Sequence, residues 1–277
     1  MEEKIAFECY LCGDENEIFI HDIEFFIDRI VVLPKIRPHK LEKAVRLCIE
    51  YNHIDGFREK ILDKIYECPV LIYKLYKRGI FVFDDIMPFL QNGDTFLICY
   101  YYQKEINDFQ IFIKSKDKPY DFDESVLENA NEIDQMIEYG FIPSSIEYCL
   151  KYDVIDDLQS FHLLDQDLKW SPFEWSIKPQ YLDLLSFSGF FGSTKCFKHL
   201  LFKGFEINSK VHSMVVCSGS LDLFHICHEK QFYSNIAFKA TLFCHLSLLV
   251  FLLENGDDIN AKNFCANHSC LIEISYI

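Results

Sequence analysis

Tight turns consume glycine and proline, and this chain has little of either: 10 glycines and 8 prolines among 277 residues, roughly half the usual share. An immunoglobulin-like sandwich or a barrel would need many more turn residues, and the glycine-rich first turn of a Rossmann sheet is not found. What is left is helices joined by economical connections. Basic charge is also short, with 27 Lys and Arg against 43 Asp and Glu, a formal net charge of −16. The average field therefore repels phosphate backbones and anionic lipid, so nucleic acid is not an expected partner. The local exception, Lys114, Lys116 and Lys118, reads as a solvated loop: Asp121, Asp123 and Glu124 follow it, and no aromatic residue interleaves with the lysines to stack a base.

Long hydrophobic runs are missing as well. The longest apolar block, Thr241 to Leu253, has 13 residues and contains His245, whereas a membrane span takes roughly 20. It is expected to be a buried helix, with no membrane insertion. The start, Met-Glu-Glu-Lys, has neither the basic region nor the apolar stretch of a signal peptide. Cysteine, by contrast, is plentiful. The 12 cysteines are spread along a chain whose 50% hydrophobic content can build its own core, so they are read as reduced buried thiols of a cytoplasmic protein rather than as a disulfide framework.

Catalytic signatures are absent. There is no Gly-x-Ser-x-Gly elbow, phosphate-binding loop or paired-histidine zinc helix, and neither enzyme activity nor a cofactor is expected. Cys9-Tyr10-Leu11-Cys12 lacks a second ligand pair, and Cys265, His268 and Cys270 do not fix a tetrahedral geometry, so no metal site is expected. Asp84-Asp85, Asp156-Asp157 and Asp257-Asp258 fit helix starts and turns, where carboxylates meet free amides. His225, His228 and His245 fit packing positions on apolar helical stretches. Trp170 and Trp175 flank Pro172, which looks like a helix start with both indoles packed.

The few glycines are informative. Gly79, Gly140, Gly204 and Gly256 each end a helical segment, as left-handed caps at intervals of 61, 64 and 52 residues. Those intervals are close to twice a period of about 26 to 32, as expected of a two-helix repeat in which alternate units have lost the glycine. Pro69 opens one helix, with Leu71, Ile72, Leu75 and Tyr76 on one face before Gly79. Ala44 to Ile49 and Phe57 to Ile65 form a similar pair, and Thr95 to Lys114 reads as helix with a strand as the alternative. Gly192 and Gly219 stand 27 residues apart, with Cys244 at the next equivalent position. Twelve residues separate Gly192 from Gly204 and Cys244 from Gly256, with Cys196, Phe197, Leu200 and Leu201 matching Leu248, Leu249, Leu252 and Leu253.

At these residues the sequence resembles the ankyrin-repeat family. Gly192-Ser193 is similar to the opening of an ankyrin unit and His199-Leu200-Leu201 to its helix. Gly204-Phe205-Glu206-Ile207-Asn208 and Gly256-Asp257-Asp258-Ile259-Asn260 are similar to its turn, the second continued by Ala261-Lys262-Asn263. The run from Trp170 into the repeats resembles divergent ankyrin proteins expanded in parasitic protists, in which a helical leader precedes the array. The Thr-Pro-Leu-His tetrapeptide of a standard unit is absent, and periods of 25 to 27 fall short of about 33.

The resemblance implies an all-α fold, a right-handed solenoid of antiparallel helix pairs, with a helical leader over 1–125 and a degenerate ankyrin-repeat array over 126–277. The apolar end after Asn263 reads as that of a truncated member, or as an edge covered by a partner or a second copy. Function is expected to be non-catalytic protein binding on a concave surface. The alternatives are a regulatory domain of, or an adaptor to, an enzyme, and a truncated member without a selected role. Partner-binding candidates are the turn-tip residues Glu206, Asn208, Asp257, Asp258 and Asn260, whose acidic and amide groups suit a basic protein segment.

Overall fold

The structure is a computed structural model that describes residues 23–36, 40–91, 95–118, 129–164, 166–174 and 182–228, together with 236, 240, 243, 245, 247–248 and 251–252. Among the described residues the fold is all-α and contains no strand. Extended pairing is limited to an isolated antiparallel bridge between Asp167 and Asp183, where Leu168 N donates to Leu182 O at 2.9 Å. No helix among them is long and apolar enough to cross a membrane. The chain divides into two compact units, one formed by residues 23–145 with 170–174, the other by 146–169 with 182–252.

The first unit contains helices α1 (Ile23–Ile36), α2 (Leu41–Tyr51), α3 (Phe57–Leu62), α4 (Pro69–Lys77), α5 (Phe83–Gln91), α6 (Phe96–Tyr101), α7 (Phe109–Lys114) and α8 (Ala130–Tyr139). The helices α2, α4 and α6 start 28 and 27 residues apart, and α3, α5 and α7 start 26 and 26 apart. Packing follows the same alternation: α2 lies against α4, α4 against α6, and α1 against α3. Each helix buries one face, as Ala44, Val45, Leu47 and Cys48 do on α2 and Leu71, Ile72 and Leu75 on α4. Gly79 closes α4 with φ +75°, its N–H bonded to Tyr76 O at 2.9 Å and the Ile80 N–H to Leu75 O at 3.0 Å. This pair of bonds satisfies carbonyls that the helix end leaves open. Surface ion pairs then tie α8 to α4 and to the turn after α6, Lys74 to Glu138 and Lys104 to Asp134 at 2.6 Å.

The stretch Thr95 to Lys114, for which a strand was the alternative, is helical at α6 and α7. Two expectations need correction in this unit. Lys116 is buried rather than solvated, its ammonium 4.9 Å from the Phe112 ring, and Lys118 lies 5.9 Å from the Phe96 ring. The aromatic partners come from α7 and α6, so their absence between the lysines in sequence was no guide. Pro172 does not open a helix among the described residues: Glu174 N bonds to Ser171 O at 3.1 Å and Phe173 N to Ser171 Oγ at 3.1 Å, closing a turn. Trp170 sits 6.2 Å from Phe141, ring to ring; Trp175 lies outside the described residues.

The second unit contains α9 (Ile146–Tyr152), α10 (Ile155–Leu158), α11 (Leu184–Phe191), α12 (Thr194–Phe202), α13 (Ser209–Ser218) and α14 (Leu221–His228). Consecutive helices pack in pairs, α9 with α10, α11 with α12 and α13 with α14. Across the pairs α9 meets α11, α11 meets α13, and α10 meets α12. Helix α11 is enclosed on all sides, every residue from Leu184 to Phe190 being buried, and its two serines there are satisfied locally. Gly189 permits the approach of α13, since a Cβ in its place would stand 3.0 Å from Val215 Cγ2. Of the expected apolar block 241–253, Phe243, His245, Leu248 and Leu252 are buried.

Candidate functional site

The tip formed by residues 205–208 follows directly from how α12 stops and α13 starts. Gly204 takes φ +97°, its N–H bonds to Leu201 O at 3.0 Å, and the Phe205 N–H reaches back to Leu200 O at 3.2 Å. The next residues alternate, with Phe205 and Ile207 half-buried and Glu206 and Asn208 exposed. Glu206 therefore projects into water, as the expected binding role requires. Asn208 has a local role besides: its Oδ1 accepts from Lys210 N at 2.9 Å and Val211 N at 3.0 Å, which makes it the amino-terminal cap of α13. Asp257, Asp258 and Asn260 lie outside the described residues, as does Gly256.

The cap gives a stability prediction independent of any partner. Asn208→Ala leaves two amides of α13 without their acceptor and is expected to lower the unfolding free energy by about 1 kcal/mol. Urea denaturation followed by circular dichroism would read it, and a change below a few tenths of a kcal/mol would mean that water replaces the carboxamide without cost.

Three junctions between helix pairs hold the tip-bearing unit in register, and each centres on a residue with left-handed backbone. Asp153 has φ +58°, Gly192 +73° and Gly219 +71°. The Asp153 carboxylate accepts from Lys195 N at 3.1 Å and Cys196 N at 2.8 Å, so the end of α9 caps the start of α12. In return, Ser193 Oγ donates to Leu150 O and Cys196 Sγ to Cys149 O at 3.5 Å, so the start of α12 satisfies carbonyls at the end of α9. A Cβ at Gly192 would meet Ser218 Cβ at 3.5 Å, and one at Gly219 would fall 2.1 Å from His245 Nδ1. The His245 ring itself donates through Nε2 to Cys217 O at 2.6 Å. A buried, hydrogen-bonded His245 matches its expected packing role; His225 departs from it, staying exposed with its ring edge-on to Phe251. The backbone of His228 completes α14.

The remaining chemistry is quiet where the structure describes it. Asp84 and Asp156 stand in the first turns of α5 and α10, but it is Asp85 that accepts from a backbone amide, Val82 N at 3.0 Å, and it also pairs with Arg58 at 3.3 Å. Cys48, Cys68, Cys99, Cys149, Cys196, Cys217 and Cys227 are free and buried. Burial pushes the Cys149 thiol up to about 11, with Asp157 adding to it, and raises Cys68 and Cys227 to about 12. Cys48 and Cys196 are raised by the same cause. Such thiols stay protonated near neutral pH and are poor nucleophiles and poor metal ligands. Among the described residues no three His, Cys, Asp or Glu side chains gather as a metal-binding group. Cys9, Cys12, Cys265, His268 and Cys270 lie outside them.

One surface was not anticipated. Lys195, Lys198, Phe202 and Lys203 form the exposed side of α12, opposite buried Cys196, Phe197 and Leu200, and Phe202 is 86% exposed. The signal was present in sequence as the complement of the apolar positions at helical spacing. Compared with protein-family models, curated proteins and solved structures, the chain matches none.

Proposed function

We propose that this chain is a non-catalytic binding scaffold, an ankyrin-like solenoid of antiparallel helix pairs that holds another protein on its turn tips. The observation that carries this reading is the repeated junction in the second unit. There α9, α11 and α13 pack in succession, and each ends in a left-handed residue: Asp153 and Gly192 meet the turn inside the next helix pair, at the start of α12 and at Ser218 and Ser220, and Gly219 meets His245. Units that bury their faces only against neighbours are the hallmark of repeat proteins, and such scaffolds bind through exposed side chains at regular spacing. The periodic starts of α2, α4 and α6 support extending the same architecture into residues 1–125. The array would then be longer than the 126–277 read from sequence. The buried free thiols support a reducing, cytoplasmic setting.

The proposed ligand is a basic protein segment, because Glu206 projects from its tip and the matching sequence after Gly256 carries Asp257 and Asp258. A labelled lysine- and arginine-rich peptide serves as the probe. Binding to the full chain is expected to weaken as salt rises. Glu206→Lys combined with Asp257→Lys and Asp258→Lys is expected to lower affinity by about tenfold or more. An affinity unchanged by these substitutions across the salt series would sink the tip assignment.

A further inference from the structure

The exposed side of α12 is a surface that the described residues of the second unit leave open. Residues 195, 198 and 202 fall on one helical stripe about 10 Å long, with Lys203 beside it. None of the three lysines makes an ion pair among the described residues, although Lys64, Lys74, Lys104 and Arg58 all do. In a chain with formal net charge −16, a stripe of lysine ammoniums with no ion pair among the described residues is a local concentration of positive charge. At its end stands Phe202, the most exposed large hydrophobic side chain among the described residues. Aromatic side chains are enriched at protein interfaces, and positive charge beside one steers an acidic partner to it.

We propose that this stripe docks an acidic protein segment carrying one apolar side chain, with carboxylates opposite Lys195, Lys198 and Lys203 and the apolar group laid on Phe202. Charge complementarity selects the occupant, and the neighbouring helix limits its size. The Asp153 carboxylate sits at the first turn of α12, and Asp156 and Asp157 are exposed on the adjoining α10, so a long polyanion or a flat anionic membrane that extends past the start of the stripe meets negative charge. A short segment whose negative charge is confined to α12 avoids it. The surface differs from the Glu206 tip in place and in sign, so either assignment can fail without the other.

The test uses the full chain and fluorescein-labelled short peptides of aspartate and glutamate with one central phenylalanine. Matched peptides lacking the phenylalanine, phosphatidylserine-containing vesicles and oligothymidine are the comparisons. The acidic peptide is expected to bind with salt-sensitive affinity. Lys195→Glu with Lys198→Glu is expected to reduce binding by about tenfold or more, and Phe202→Ser by about fivefold or more. All three positions are exposed, and unchanged far-ultraviolet circular dichroism would show that the variants remain folded. The proposal is overturned if the charge-reversed variant binds the peptide as well as the parent does. It is equally overturned if no acidic peptide binds, or if vesicles or oligothymidine bind through the same lysines more tightly than the peptide.

Discussion

Replacing Asp153 with alanine is expected to lower the unfolding free energy by about 2 to 3 kcal/mol, because one side chain serves two needs at the end of α9. Its backbone lies in the left-handed region, φ +58°, which a Cβ-bearing residue enters at a cost unless a short polar side chain can bond locally. Its carboxylate also accepts the second and third amides of α12, at 3.1 and 2.8 Å, and places negative charge at that helix's positive end. The nearby Ser193 cannot take over the cap as it stands, since its hydroxyl is turned to Leu150 O. The two needs separate by substitution. Asp153→Gly relieves the backbone but removes the acceptor, and is expected to cost about 1 to 2 kcal/mol; Asp153→Asn keeps an acceptor and left-handed tolerance, and is expected to cost less than about 1 kcal/mol. Urea unfolding of the three variants would give the order Asn, Gly, Ala from most to least stable. Glycine more stable than the parent protein would mean that the carboxylate contributes nothing and that backbone strain alone is at stake.

That double role also explains what could be read from the sequence and what could not. Gly79, Gly140 and Gly204 were legible as helix ends because glycine takes positive φ without strain, and each does so. Pro69 was legible because its ring suits a first helical turn, and it begins α4. Asp153 and Asp108 adopt the same left-handed backbone, φ +58° and +51°, yet carry no glycine to mark them. Asp108 stands just before α7, as Gly56 does before α3, while the equivalent residue before α5 is Val82. The 26-residue interval between these helix starts therefore carries a glycine at only one of its three positions, and the regular order of α2 to α7 stayed hidden behind the description of a leader. At the tip, Glu206 was legible as an exposed group because it alternates with Phe205 and Ile207. The cap made by Asn208 depends on the angle at which α13 begins, and the exposed stripe of α12 depends on which neighbours leave it open, which only the packed structure provides.

Gly219→Ala is expected to be the most damaging single methyl addition in the second unit, costing about 3 kcal/mol or more. Positive φ alone, +71° here, accounts for about 1 kcal/mol of this, and Gly204 supplies the measure. At Gly204, φ +97°, a Cβ meets nothing within 4 Å, so Gly204→Ala should report the backbone term by itself. At Gly219 the added carbon would fall 2.1 Å from His245 Nδ1 and 2.3 Å from Cε1, far inside van der Waals contact. The imidazole cannot simply turn away: it is buried, lies 6.4 Å from and parallel to the Phe243 ring, and donates to Cys217 O. Displacing it breaks that bond and leaves a carbonyl at the end of α13 without its buried donor. The coupling is measurable as a cycle. His245→Ala removes the obstacle and the hydrogen bond together, so in that background Gly219→Ala should cost only what Gly204→Ala costs in the parent. Thermal or urea unfolding of the four proteins would give an interaction energy of about 2 kcal/mol between the two sites. Strictly additive costs would mean that His245 does not rest on Gly219, and the junction between α13 and the following residues would lose its physical basis.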